Sequence, residues 1–338
     1  MSEVLRVAVL GAGFMGSTHA RAYAKLPSAR VAAIVSRGSE RARALAAELG
    51  AEHLDDPTPV LEDRAIDVVD VCYPTHEHER LAVAALQAGK HVLLEKPIAL
   101  SLESADRILA AWRASGRQLM VAHVLRFWPE YVALREIVRS GRLGRPLVAN
   151  AYRLSTRPGW SEVFANPELT GGPVVDLQIH DDDALNWILG QPRAVYSRGQ
   201  RSELGAWDHA VTTITYDGAV GVAEGSTRLP EGYPFSMGLR VVCERGAVEY
   251  VFRAAGTSVE MGRQEGTRLV VYEPDREPEP VATPVRDAYE AEVAYFVECV
   301  RRDEPALAAP PEAARLALEV ALAARQSLET GQPVRFTG

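Results

Sequence analysis

Cysteine is scarce in this chain: Cys72, Cys243 and Cys299 are the three among 338 residues. An odd number, far apart and without a C-x-x-C pair, excludes a disulfide framework and a cysteine-based zinc site, and it fits a reducing cytoplasm. No apolar run approaches the ~20 residues that span a bilayer. The chain enters the strand-like "VLRVAVL" within a few residues of its start, so neither a signal peptide nor a membrane helix is expected. Basic charge is lacking too, since 37 Lys and Arg against 45 Asp and Glu leave a formal charge of -8. No Lys/Arg cluster offers the face that neutralising phosphates would require, which excludes a general nucleic-acid binder. Internal repeats and low-complexity segments are absent as well. What remains is an ordinary globular composition, 47% hydrophobic and 24% charged, with length enough for two cores.

The first part alternates short β-rich runs with helical segments. "RVAVL", "RVAAIV", "VVDVC", "HVLLE" and "QLMVAH" are separated by helices expected over 14–26, 39–49, 77–88 and 101–115. Parallel neighbours need long return connections, so this rhythm predicts a doubly wound α/β domain over residues 1–123. After a helix near 130–140 the pattern changes to short strands joined by brief Gly-containing turns, from "RPLVANAYRLS" to "TRLVVYE". Such turns favour antiparallel pairing. Residues 124–338 are therefore expected to form an α+β domain on a large, mostly antiparallel sheet. "SVEMGR" is one of its expected strands and "PDREPEPVATP" a surface loop. Two closing helices, 287–301 and 311–330, are expected to pack back on the body.

"VAVLGAGFMGSTHA" places Gly11, Gly13 and Gly16 between the first strand and its helix. Gly11 permits a tight turn, Gly13 lets the backbone approach a pyrophosphate, and Gly16 lets helix and strand pack closely. The amides of Phe14, Met15 and Gly16 at the helix start favour an anion. The sequence thus predicts a dinucleotide-binding Rossmann domain. At the end of the second strand an NAD site commonly carries Asp or Glu for the ribose 2'-hydroxyl; here stand Ser36 and Arg37. A hydroxyl and a guanidinium suit a 2'-phosphate, which favours NADP over NAD.

"TGGPVVDLQIHDDDALNWILG" gathers Asp176, His180, Asp181, Asp182 and Asp183 over a stretch of helical period, 174–189. Asp176 and His180 fall one turn apart and share a stripe with Asp183 and Trp187. Consecutive Asp181, Asp182 and Asp183 point about 100° apart and cannot all ligate one ion, so no metal is expected. Asp181 and Asp182 are expected to be solvated or paired with basic neighbours. An imidazole ordinarily titrates near neutrality, which suits reversible proton transfer from an alcohol.

Lys96 follows Glu95 at the carboxyl end of "HVLLE" and precedes Pro97, where ligands of open α/β sheets collect. The glycine turn, "YPTHEH", "AGKHVLLEKPIA" and "GGPVVDLQIHDDDALNWILG", in this order, together resemble the glucose-fructose oxidoreductase, inositol dehydrogenase and rhizopine-catabolism (Gfo/Idh/MocA) family. The resemblance runs nearly the whole length, to "AARQSLETGQPVRF". It implies NAD(P)-dependent oxidation or reduction of sugars, inositols and related polyols by a homodimer or homotetramer joined through the C-terminal sheets. It also implies His180 as acid/base, with Lys96 and Asp176 holding substrate and assisting proton transfer. By the same resemblance Pro74, Thr75 and His78 border the nicotinamide, and Glu95 and Lys96 join the cofactor-binding set. The Ser36-Arg37 pair departs from the Asp of many members.

For the substrate, His123 and Arg126 in "VAHVLRFWPEY" and Arg157 and Trp160 in "RLSTRPGWSEVF" are the candidates. The expected activity is hydride transfer between nicotinamide and a secondary alcohol or ketone carbon of a sugar, inositol or polyol. Transient oxidation in glycoside cleavage and a non-catalytic NADP sensor are the rival readings.

Overall fold

The computed structural model describes residues 4–157, 167–203, 205–259, 262–263 and 266–336. The chain divides into two compact units, Met1–Phe127 with Arg286–Arg315, and Trp128–Val285 with Leu316–Gly338.

In the first unit six strands are all parallel: β1 (Leu5–Leu10), β2 (Ala29–Val35), β3 (Glu52–Leu54), β4 (Val68–Val71), β5 (His91–Glu95) and β6 (Leu119–Ala122). Their order is β3-β2-β1-β4-β5-β6. The chain steps outward one way from β1 and the other way from β4, so the carboxyl ends of β1 and β4 form the switch point where such sheets take ligands. Between the strands run α1 (Phe14–Ala24), α2 (Glu40–Leu49), α3 (Thr58–Glu62), α4 (His78–Gln87) and α5 (Leu102–Ser115). Ser39 and Ser101 cap α2 and α5 by accepting the amides of Ala42 and Ser104, and Gly50 and Gly116 end both helices in left-handed geometry, as short polar starts and glycine stops dictate. Every residue of β4 and β6 is buried, the mark of strands covered on both faces. β3 and α3 escape the sequence reading because three half-exposed residues and five residues are too short to show a period.

The second unit carries α6 (Pro129–Arg139), α7 (Pro167–Thr170), α8 (Gly172–Asp176) and α9 (Ile179–Leu189). Its strands are β7 (Pro146–Thr156), β8 (Pro192–Arg201), β9 (Trp207–Tyr216), β10 (Ala219–Leu229), β11 (Ser236–Cys243), β12 (Gly246–Arg253), β13 (Arg268–Tyr272), β14 (Glu279–Pro280) and β15 (Val334–Arg335). They form one sheet in the order β14-β13-β12-β11-β7-β10-β9-β8-β15, antiparallel throughout except for the central β7–β10 pair. "SVEMGR" is not a strand among its described residues, where Arg263 makes an isolated bridge to Ala254. The expected loop "PDREPEPVATP" contributes the two-residue edge strand β14, where proline is tolerated. Alternate residues of β9 are buried, and one face of the sheet takes α6, α8 and α9. On the other face Val148 of β7 lies in register with Val220 of β10 and Val242 of β11, and all three are exposed.

Of the closing helices, α10 (Ala288–Arg302) belongs to the first unit. Asp287 caps it by accepting the Glu290 amide at 2.9 Å, and Val293, Phe296, Val297 and Val300 join Tyr23 and Ile34 in that unit's core. The last helix is α11 (Pro311–Thr330).

Candidate active site

At the switch point the glycine turn is built by exclusion. Gly11 has φ +105°, and a Cβ there would meet the Cys72 carbonyl oxygen at 2.5 Å; one at Gly16 would meet the Gly11 carbonyl oxygen at 2.0 Å. Both contacts forbid any larger residue and fold the turn tightly onto β4. Gly13 differs, since a Cβ there would meet nothing within 4 Å, so its backbone is open to an approaching ligand. α1 begins with no side-chain cap and no acidic residue in its first turn. Its amides and dipole are thus left for an anion, and Gly11, Gly13, Phe14, Met15 and Gly16 fit a dinucleotide pyrophosphate.

Beyond β2, Ser36 is half-buried and Arg37 exposed. The Gly38 amide donates to Asp55 Oδ1 at 2.8 Å, bringing to this turn a carboxylate that the sequence did not reveal. In the next loop Pro74 is half-buried and Thr75 buried at the start of a 3-10 turn. The buried His78 ring places Nδ1 at 2.7 Å from the Pro97 carbonyl and Nε2 at 2.8 Å from the Tyr73 carbonyl. Carbonyl oxygens only accept, so satisfying both takes both ring N–H groups. The His78 side chain therefore ties two loops together, leaving the backbone for any cofactor contact.

Lys96 directly follows β5, half-buried, with a cis peptide to Pro97. Its amide donates to Glu95 Oε2 at 3.0 Å. Glu95 is buried, and burial raises its carboxyl above the usual range against the opposing pull of His19 and Lys96. His123 and Arg126 are buried too. Arg126 donates through Nη1 to the Ala308 carbonyl at 3.0 Å, so part of its fork anchors the segment after α10. Phe127 packs on Tyr295, with ring centroids 5.3 Å apart.

In the second unit the expected continuous helix 174–189 is two helices. α8 ends at Asp176 and α9 begins at Ile179, with Gln178 at the joint. The joint is pinned from below: Gln178 Nε2 donates to Thr212 Oγ1 at 2.8 Å, Ser197 Oγ donates to the same oxygen at 2.9 Å, and the Ser197 amide donates to Ser327 Oγ at 2.9 Å. All four residues are buried. This polar row fixes the segment that carries Asp176 and His180, and both of those side chains are half-buried.

Solvation of Asp181 and Asp182 is overturned, because both are fully buried and Asp183 nearly so. Asp181 is paired, with Arg153 of β7 donating Nε to Oδ2 at 3.0 Å and Nη2 to Oδ1 at 3.2 Å. Burial raises the Asp181 carboxyl while Arg153 opposes. Asp182 is pushed well above the usual range by burial and then by Asp181. Arg153 was missed, although it follows Ala149 and Ala151 on the buried alternation of β7. Trp128 is half-buried against this unit's core, its ring edge-on to Phe252 and its Nε1 donating to the Tyr250 hydroxyl at 3.0 Å.

Arg157 lines an open groove of about 520 Å³ with Arg201, Asp208 and Arg228. Asp208 is buried, with Arg228 Nη1 at 3.2 Å and Arg157 Nη2 at 3.7 Å. Trp160 lies outside the described residues. No described helix is long and apolar enough to cross a membrane.

Comparison with known proteins agrees with this architecture. Residues 5–123 match the oxidoreductase family with an NAD-binding Rossmann fold, and residues 131–249 match the GFO/IDH/MocA C-terminal domain. The chain is 30% identical to scyllo-inositol 2-dehydrogenase (NAD(+)) of Bacillus subtilis, covering 99% of this chain and 97% of that protein. It is 37% identical to D-glucoside 3-dehydrogenase of Escherichia coli, over 63% of this chain and 65% of that one. Among solved structures, GenD2 from gentamicin A biosynthesis, in complex with NAD, superposes with a TM-score of 0.86 at 25% identity, covering 100% of this chain and 98% of that one. The chain therefore belongs to the Gfo/Idh/MocA family and is an NAD(P)-dependent sugar or polyol dehydrogenase.

Proposed function

We propose that this dehydrogenase transfers a hydride between nicotinamide and a secondary alcohol or ketone carbon of a sugar, inositol or related polyol. In this reading His180 takes the hydroxyl proton, Lys96 stabilises the developing alkoxide, and Asp176 orients the reacting groups. The carrying observation is that one sheet presents both an uncapped helix start open at Gly13 and a lysine at the carboxyl end of buried β5. When bound, the nicotinamide supplies the hydride acceptor or donor, so proton transfer and charge stabilisation fall to side chains. Proton transfer of this kind needs no metal. The test is Lys96→Ala and His180→Ala, each expected to lower turnover by at least ~100-fold while cofactor binding persists. Near-normal turnover in either variant removes that residue's role.

NADP is the inferred cofactor in preference to NAD, supported by Ser36 and Arg37, with Asp55 as the opposing charge at the same turn. The groove around Arg157 and Arg228 is suited to the hydroxyl-rich or anionic end of a substrate. The enzyme is proposed to be cytoplasmic and a homo-oligomer. The exposed Val148, Val220 and Val242 row is the apolar strip that a second copy would cover.

A further inference from the structure

A group of buried ionisable side chains in the first unit gathers around His19, and hydride transfer as described above gives no task to His19, Asp70, Cys72 or Glu292. His19, on α1, is fully buried. Its Nδ1 lies 2.9 Å from Asp70 Oδ2 on β4, and its Nε2 lies 3.4 Å from Glu95 Oε1 on β5. The second distance is that of an ion pair without a formed hydrogen bond. The other Glu95 oxygen accepts the Lys96 amide at 3.0 Å. Cys72, just after β4, donates its thiol to Asp70 Oδ1 at 3.2 Å. From α10 comes Glu292, fully buried, with neither carboxyl oxygen hydrogen-bonded among the described residues. Tyr23, one turn along α1 from His19, is also fully buried.

Burial alone would strip the proton from His19, but Asp70, with Glu95 and Glu292, outweighs it and lifts the imidazole to about 9. Burial pushes the Glu292 carboxyl well above the usual range, with His19 opposing. At neutral pH the centre therefore holds an imidazolium flanked by the carboxyl groups of Asp70 and Glu95. His19, Asp70 and Cys72 also bring donor atoms within 4.8 Å of one another. A metal would need the Cys72 thiolate, and burial and then Asp70 push that thiol well above its ordinary value. The chemistry in place is a held proton.

We propose that His19 is a positioning residue for Lys96: its ring, oriented by Asp70, holds the Glu95 carboxyl whose other oxygen fixes the Lys96 peptide at the end of β5. The inference rests on Lys96 being the group that meets the developing alkoxide. A lysine ammonium rides on a flexible stem, so its reach is set by where the backbone is held. Without the imidazolium, the Asp70 and Glu95 carboxyl groups face each other unmediated, and Glu95 no longer has a reason to stay on the Lys96 amide.

The experiment compares His19→Gln and Asp70→Asn with Lys96→Ala in the full chain. Turnover is read on a panel of inositols and D-glucosides, at saturating concentrations of the compound converted fastest, with NADPH affinity and thermal midpoint measured alongside. His19→Gln is expected to lower kcat about 10- to 100-fold per folded molecule, the size of a displacement near 1 Å, with KM and NADPH affinity little changed. Ring nitrogen NMR supplies a readout that needs no substrate. His19 should stay doubly protonated up to about pH 9 in the native protein, and in Asp70→Asn its titration and the alkaline limb of kcat should both move toward the ordinary imidazole value near 6.5. Wild-type kcat in folded His19→Gln overturns the proposal, as does an unmoved His19 titration in Asp70→Asn. Should His19→Gln not fold, Asp70→Asn decides alone. Full turnover by Lys96→Ala instead removes the proposed role of Lys96, so the two failures are distinguishable.

Discussion

Replacing Arg153 by Met should be among the more damaging single changes in the second unit, and its cost follows from the geometry. The guanidinium makes two hydrogen bonds to Asp181, and the two side chains are 6% and 0% exposed. Removing one partner of a buried, bidentate ion pair leaves the other charge without water or counter-ion, a loss of about 3–5 kcal/mol. Asp181 has an escape, because burial already raises its carboxyl and Arg153 is what opposes that rise. Without the arginine its folded pKa climbs further above the unfolded value near ~3.9. A carboxyl raised in the folded state is least costly at acid pH, and its penalty grows as pH rises toward the folded pKa. The Arg153→Met deficit should therefore be smaller at about pH 5 than at about pH 8. Replacing both partners by apolar residues, Arg153→Met with Asp181→Leu, should recover most of the loss, since a shape-matched apolar pair often costs little. Urea unfolding followed by tryptophan fluorescence measures this, compared at equal m-values because a two-unit chain need not unfold in one step. A single-variant loss below ~1 kcal/mol, or a double variant as damaged as the single, refutes the reasoning.

His19 makes stability fall with rising pH in the same sense, over a higher window. With its folded pKa raised from 6.5 to about 9, it contributes on the order of 3 kcal/mol that is fully present below the unfolded value and lost as pH rises through about 9; thermal midpoints across that window should fall, and should fall less in His19→Gln. Arg37→Ala should raise KM for NADP about tenfold while leaving NAD nearly unchanged, the worth of one charge-assisted contact, as steady-state kinetics with both cofactors would show. If the proposed oligomer forms through this strip, Val148→Lys should leave the protein monomeric by sedimentation velocity, because a charge in the middle of the Val220–Val148–Val242 row cannot be buried unpaired.

Local chemistry made the first unit readable. Glycines that nothing else can replace, serine caps and unbroken apolar strands each announce one structure, and Gly11 and Gly16 prove to be required by contacts of 2.5 and 2.0 Å. The second sheet was readable as mostly antiparallel, yet its central parallel pair was not, because register between distant strands leaves no local mark. The DDD run misled for a related reason. Consecutive carboxylates look solvated until one knows that Arg153, 28 residues earlier, waits on the buried face of β7. His19 and Glu292 were invisible in the same way: each is a single polar residue on an otherwise apolar helix face, and their meeting depends on α10 returning to the first unit.

The central claim is tested most directly by following absorbance at the nicotinamide band while the purified protein is offered inositols, D-glucosides and related polyols with NAD or NADP. Hydride transfer predicts growing reduced-cofactor absorbance with at least one member of that set, abolished in His180→Ala. Tight cofactor binding with no absorbance change on any of them would contradict it.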